Sequence, residues 1–185
     1  MNNLDAFMKI LTGTFDNQEQ YEALKGAGNV TFPFAEHVNT ICNDKIKNMP
    51  EGFKGIFLVE ESYYTTNGKT HASPHLFLFT EEEKGILLTS YEIPEGYNKN
   101  TFTYAEMGTV DFADLKQSEK FTPALYEYKE GVWEGGSVSM FTPVLKFTLF
   151  ERFSEEQLEV SESMERNGKR TFGFDEPILY KRKAE

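Results

Sequence analysis

The chain has 185 residues, 39% of them hydrophobic and 15% aromatic, which is enough for one domain with a real core rather than a disordered chain. Its net charge of −11 argues against nucleic acid or an anionic lipid surface as partner; basic residues gather only at Arg166, Lys169 and Arg170 and in the tail Lys181 to Lys183. The single cysteine, Cys42, excludes an internal disulfide and fits a reducing compartment, and no apolar run approaches the roughly 18 residues of a membrane helix.

The start, MNNLDAFMKILTGTF, shows no basic leader followed by an apolar core, so a cytoplasmic location without a signal peptide is expected. Leu4, Phe7, Met8 and Leu11 recur at helical spacing, with Gly13 as the stop. Asp16 to Glu19 reads as a helix cap, and a second short helix is predicted over 17–25, ending at Gly26-Ala27-Gly28. These helices make residues 1–28 a helical segment packed on the domain. PFAEHVNTICNDKI fits helix or strand, because Phe34, Val38, Ile41 and Cys42 satisfy both periods.

From there the period is two. Strands are predicted at GIFLVEESYY (55–64), HLFLF (75–79), GILLTSYEI (85–93), TFTYAEMGTV (101–110), ALYEY (124–128), VWEGGSVSM (132–140) and VLKFTLFERF (144–153). QLEVSESMER (157–166) and RTFGFDEPILYKR (170–182) are predicted to pair across Asn167-Gly168, a strong hairpin turn. About nine or ten strands on short turns point to an all-β antiparallel meander, closed as a barrel or folded as a sandwich.

Phosphate-loop, dinucleotide and serine-hydrolase motifs are missing. His71 and His75 lack the accompanying ligands of a metal site, and Cys42 lacks a histidine on its own strand face. The unusual feature is a pair of glutamates, Glu60 and Glu61, inside an apolar strand. Alternation sends one of them inward, and a buried carboxylate needs a partner. Tyr63, Tyr64, Tyr91, Tyr104, Tyr126, Tyr128 and Trp133 lie on the same set of predicted strands and could line a ring-walled cup for a ligand rich in N–H groups or positive charge. The plainer reading pairs the carboxylate with Arg152 or a tyrosine hydroxyl, or leaves it in water at a rim. The pattern alone does not choose between Glu60 and Glu61.

LTGTFDNQEQYEA, the Phe-Pro-Phe entry to Ala35-Glu36-His37-Val38, and GIFLVEESYY together resemble the T-type phycobiliprotein chromophore lyases. The matching positions are Phe15, Asn17, Gln20, Pro33, His37, Val59, Glu60 and Tyr63, and EPILYKR resembles the closing strand of that family. The resemblance covers about the first 65 residues. It implies a calycin-type, lipocalin-like antiparallel barrel with short N-terminal helices. It implies a bound open-chain tetrapyrrole, phycoerythrobilin or phycocyanobilin, delivered to a cysteine of a phycobiliprotein β-subunit, with no further cofactor. It selects Glu60 as the acting group, with His37, Tyr63, Tyr64, His75, Tyr91 and Trp133 around the ligand, and it suggests a homodimer. Where the family carries arginines for the propionates, SPHLFLFT carries His75. A carrier of another apolar ligand and a barrel with a filled interior are the alternatives.

Overall fold

The computed structural model describes residues 3–184. Helix α1 (Asn3–Leu11) is followed by β1 (Gly13–Asp16), α2 (Gln18–Gly26) and β2 (Phe34–Ile41). Next come β3 (Ile46–Lys47), β4 (Ile56–Thr66), β5 (Lys69–Glu82), β6 (Gly85–Tyr91) and β7 (Val110–Asp111). The chain ends with β8 (Ala124–Lys129), β9 (Val132–Thr142), β10 (Leu145–Phe153), β11 (Leu158–Arg166), β12 (Lys169–Gly173) and β13 (Ile178–Arg182).

Ten of these strands form one antiparallel ring in the order β10-β9-β8-β6-β5-β4-β2-β1-β13-β11, closed by pairing of β10 with β11. Closure leaves no unpaired edge around the ring. This is a closed β-barrel of the calycin, lipocalin-like type, as expected. The stretch that fitted both periods is strand β2, which alternates cleanly: Ala35, His37 and Asn39 are buried. The predicted last strand is broken in two at Gly173, whose φ of +113° suits glycine. β12 pairs with one end of β11 and β13 with the other.

The predicted strand at 101–110 does not form; only Val110 enters one, the two-residue β7. Residues 92–109 instead wrap over the outer face of β4 and β5. Phe102 and Met107 are both buried there against Phe57, Val59 and Leu76 in a second core. The segment's backbone is bonded to side chains in place of a ladder. Tyr104 N–H donates to Glu61 at 3.0 Å, and Lys45 Nζ donates to the Tyr104 and Met107 carbonyls at 2.5 and 2.7 Å.

The main core fills one end of the lumen. The α1 face Leu4, Phe7, Met8 and Leu11 is buried there, as its spacing predicted. Phe7 sits among Phe79, Tyr126, Trp133 and Phe153, with ring centroids 5.3 to 5.9 Å away. Helix α2 buries no residue. Asn17 and Gln20 tie strands together instead. Asn17 accepts from Ala35 N–H at 2.8 Å and donates to the Pro33 carbonyl at 3.1 Å; Gln20 accepts from Leu179 N–H and donates to the Pro177 carbonyl.

Arg182 on the closing strand holds α1 in place. Its guanidinium donates to the carbonyls of Lys9, Ile10 and Thr12, at 3.2, 2.9 and 2.6 Å, and lies 4.7 Å above the Phe15 ring. A cation there satisfies orphan carbonyls at a helix C-terminus and complements its dipole. Arg182→Ala is expected to lower stability by about 1–3 kcal/mol, with Arg182→Lys recovering only part of it. Urea melts check this, and an unchanged midpoint for Arg182→Ala would show that α1 docks without the clamp.

Candidate functional site

Strand alternation divides β4 between two environments. Leu58, Glu60, Ser62 and Tyr64 face the lumen, while Phe57, Val59, Glu61 and Tyr63 face outward. Glu61 is taken by the outer wrap: it accepts from Tyr63 Oη at 2.7 Å as well as from Tyr104 N–H. Glu60 is the inward carboxylate. It accepts from Ser62 Oγ at 3.1 Å, and its other oxygen lies 3.7 Å from His37 Nδ1. Its register partner across β5 is His75, and across β2 it is Asn39. Arg152, a candidate partner for this carboxylate, points outward and pairs with Glu134 and Glu159 at 3.1 and 3.5 Å.

Above the α1 plug the lumen is open. A small deep pocket of about 40 Å³ has Leu11 as part of its lining and Glu60, Glu151, Glu162 and His75 as its ionisable groups. It shares His75, Phe121, Phe147 and Glu162 with a wider cavity of about 450 Å³. Tyr64, His71, Phe141, Met164 and Phe172 also line that cavity, with Lys99 and Lys120 as its cations. Its volume lies in the range of small-molecule sites, which are largely apolar with a few placed polar groups.

Burial sets the charge state of the floor. It raises the Glu60 carboxyl, and it raises Glu151 to about 8 and Glu162 to about 7, with the neighbouring carboxylates adding to the rise for these last two. Burial lowers His37 to about 3 and also lowers His75. Tyr126, fully buried, donates its hydroxyl to Glu151. At neutral pH Glu151 therefore holds its proton, Glu162 is about half protonated, and the imidazoles and tyrosine hydroxyls are uncharged. Among the described residues, no group of three or more His, Cys, Asp or Glu side chains is placed to hold a metal ion.

The residues singled out from sequence separate accordingly. Glu60, His75, Tyr64 and His37 are brought together on the inner wall; His37 stacks on Tyr180 with centroids 4.1 Å apart. Tyr63 lies on the outer wall, and the cause is the same alternation that turns Glu60 inward. Trp133 faces inward but is buried in the plug, edge-on to Phe7, and lines neither cavity. Tyr91 borders the mouth cavity while its ring packs edge-on against Phe57 at 5.2 Å. Sequence reasoning passed over Glu151, Glu162, Phe121, Phe147, Lys99 and Lys120. For the two acids the signal was present: Glu151 follows Phe147 and Leu149 on one strand face, and Glu162 follows Leu158 and Val160.

No protein-family profile matches the chain, and no curated protein matches it. No helix among the described residues is long and apolar enough to cross a membrane.

Proposed function

We propose that the barrel binds an open-chain tetrapyrrole, phycoerythrobilin or phycocyanobilin, and delivers it to a cysteine of a phycobiliprotein β-subunit, as lyase or as chaperone. The observation that supports this reading is Glu60: a carboxyl on the inner wall, next to a ring-lined cavity of about 450 Å³. A bilin is flat, with apolar edges and a row of pyrrole nitrogens. Phe121, Phe141 and Phe147 suit its faces, and Glu60 suits its N–H groups. Lys99 and Lys120 supply positive charge at the mouth for the propionates, where the resembled family uses arginines. Delivery forms a bond between the acceptor sulfur and a carbon of the bilin's vinylic side chain, the thiol proton passing to the bilin. In this reading the barrel orients the ligand, Glu60 is the acting group, no further cofactor is needed, and the protein works in the cytoplasm, as a homodimer if it follows the resembled family.

Titration with each bilin, followed by absorbance and fluorescence, tests the reading. The expected result is a sharpened, red-shifted band saturating at about one bilin per chain. Glu60→Gln is expected to weaken binding by about 10–100-fold, the value of one charge-assisted hydrogen bond. An apo β-subunit added to the loaded barrel then reports transfer. Free-bilin spectra throughout would reject the proposal. The Phe-rich walls would then favour a carrier of another apolar ligand, which Glu60→Gln would leave almost unchanged.

A further inference from the structure

The floor of the barrel holds more carboxyl groups than a ligand-orienting role needs. Glu60, Glu151 and Glu162 come from β4, β10 and β11 into one pocket, and no lysine or arginine lines it. The other titratable groups around it are all weak or absent sources of positive charge. His37 on β2 and His75 on β5 are kept neutral by burial. Tyr64, Tyr126 and Tyr180, from β4, β8 and β13, contribute hydroxyls only. Lys99 and Lys120 stand in the lining of the wider cavity and not of the deep pocket. Three carboxylates without a cation cannot all be ionised in such a place, so the floor stores protons.

Two unpartnered buried atoms lie beside Glu60. His37 Nε2 and Asn39 Oδ1, on side chains 3% and 2% exposed, have no hydrogen-bond partner among the described residues. Both flank Glu60: His37 through its other nitrogen, and Asn39 as register partner. Buried atoms of this kind are satisfied in nearly all proteins, by a protein group or an ordered water, and neither residue lines the deep pocket or the wider cavity. The deep pocket, at about 40 Å³, has room for about three water-sized groups, which matches the tip of a ligand and not its body.

We propose that this floor is a proton-donating subsite, in which Glu162, backed by Glu151, hands a proton to a basic nitrogen of the ligand and holds the product as an ion pair. The inference rests on the bilin reading of the cavity above it. Glu162 is the donor because it lines both the deep pocket and the wider cavity. The Glu162 O–H bond breaks and its electron pair stays on the carboxylate. The lone pair of a pyrrolenine-type nitrogen takes the proton, so a cationic ligand sits against an anionic floor and no solvent proton is consumed. Burial pushes Glu162 up to about 7 and Glu151 to about 8, so both hold their protons at pH 6.

The test uses the full chain and phycocyanobilin. Calorimetric titrations at pH 6 in two buffers of different ionisation enthalpy count the protons taken from solvent on binding. Glu162→Gln, and the Glu151→Gln/Glu162→Gln double variant, are isosteric and remove the stored protons. The double variant is expected to take up about one solvent proton per bilin more than the parent, with Glu162→Gln in between or equal to it. The long-wavelength band of the protonated bilin is expected to bleach about one pH unit lower in the double variant. Equal proton uptake in all three proteins, or a bound bilin that is unprotonated in the parent, overturns the subsite and leaves bilin binding standing. Absence of any spectral change with the parent overturns the bilin reading itself and this inference with it.

Discussion

Phe7→Ala is expected to destabilise the protein by about 3–5 kcal/mol, the usual loss for a fully buried aromatic ring. The side chain is fully buried, and rings from four barrel strands, Phe79, Tyr126, Trp133 and Phe153, surround it. They belong to different strands of a closed ring, so they cannot collapse together into the space without distorting the barrel. The cavity would persist, and the cost would sit at the upper end of the range. In a chain of this size the melting temperature is expected to fall by roughly 10 °C. Phe150→Ala, an outward residue 44% exposed, serves as the control and is expected to change stability by less than about 0.5 kcal/mol. A Phe7→Ala protein melting with the parent would mean that α1 does not plug the lumen in solution.

Ligand-free stability is expected to peak in mildly acidic solution and to fall by on the order of 2–3 kcal/mol between pH 6.5 and 8. Glu151 and Glu162 have folded-state values raised from 4.5 to about 8 and about 7. Between the ordinary and the raised value the folded state binds more protons than the unfolded one. Their contribution to stability therefore falls as pH rises through that window and is fully lost only above the folded values. His37 works in the opposite sense: its value drops from 6.5 to about 3, so the unfolded state binds the extra proton and stability falls as pH drops through 6.5 toward 3. The effects oppose one another between about 4.5 and 6.5, where two glutamates outweigh one histidine, and above 6.5 the glutamates act unopposed by it. Glu151→Gln is expected to remove most of the decline above pH 7 while keeping an acceptor for the Tyr126 hydroxyl. Chemical denaturation from pH 4 to 9 reads this. A parent protein that gains stability from pH 6.5 to 8 would show that the floor carboxyls are charged and paired.

Much of this protein is legible in its sequence because alternation and helical spacing are local. Leu4, Phe7, Met8 and Leu11 announce the buried face of α1, and Asn167-Gly168 marks the β11–β12 turn. The rule that marked one of Glu60 and Glu61 as an inward carboxyl applies equally to Glu151 and Glu162, where it was legible and unread. TFTYAEMGTV has strand-like composition, yet it forms a wrap because β4 and β5 already have partners and Lys45 and Glu61 capture its backbone. Which glutamate faces the lumen was beyond a period of two: GIFLVEESYY reads alike with either face inward. Closure of the ring decided it. The lumen took Leu58, Glu60 and Tyr64, and the outer wrap needed Phe57, Val59 and Glu61. The same closure buried Trp133 in the plug and turned Tyr63 outward. Composition and period determined a β-rich chain with a helical start and acids on apolar faces. Only the tertiary structure decided that three of those acids share one floor, because β4, β10 and β11 are brought around one lumen by pairings between residues far apart in the chain.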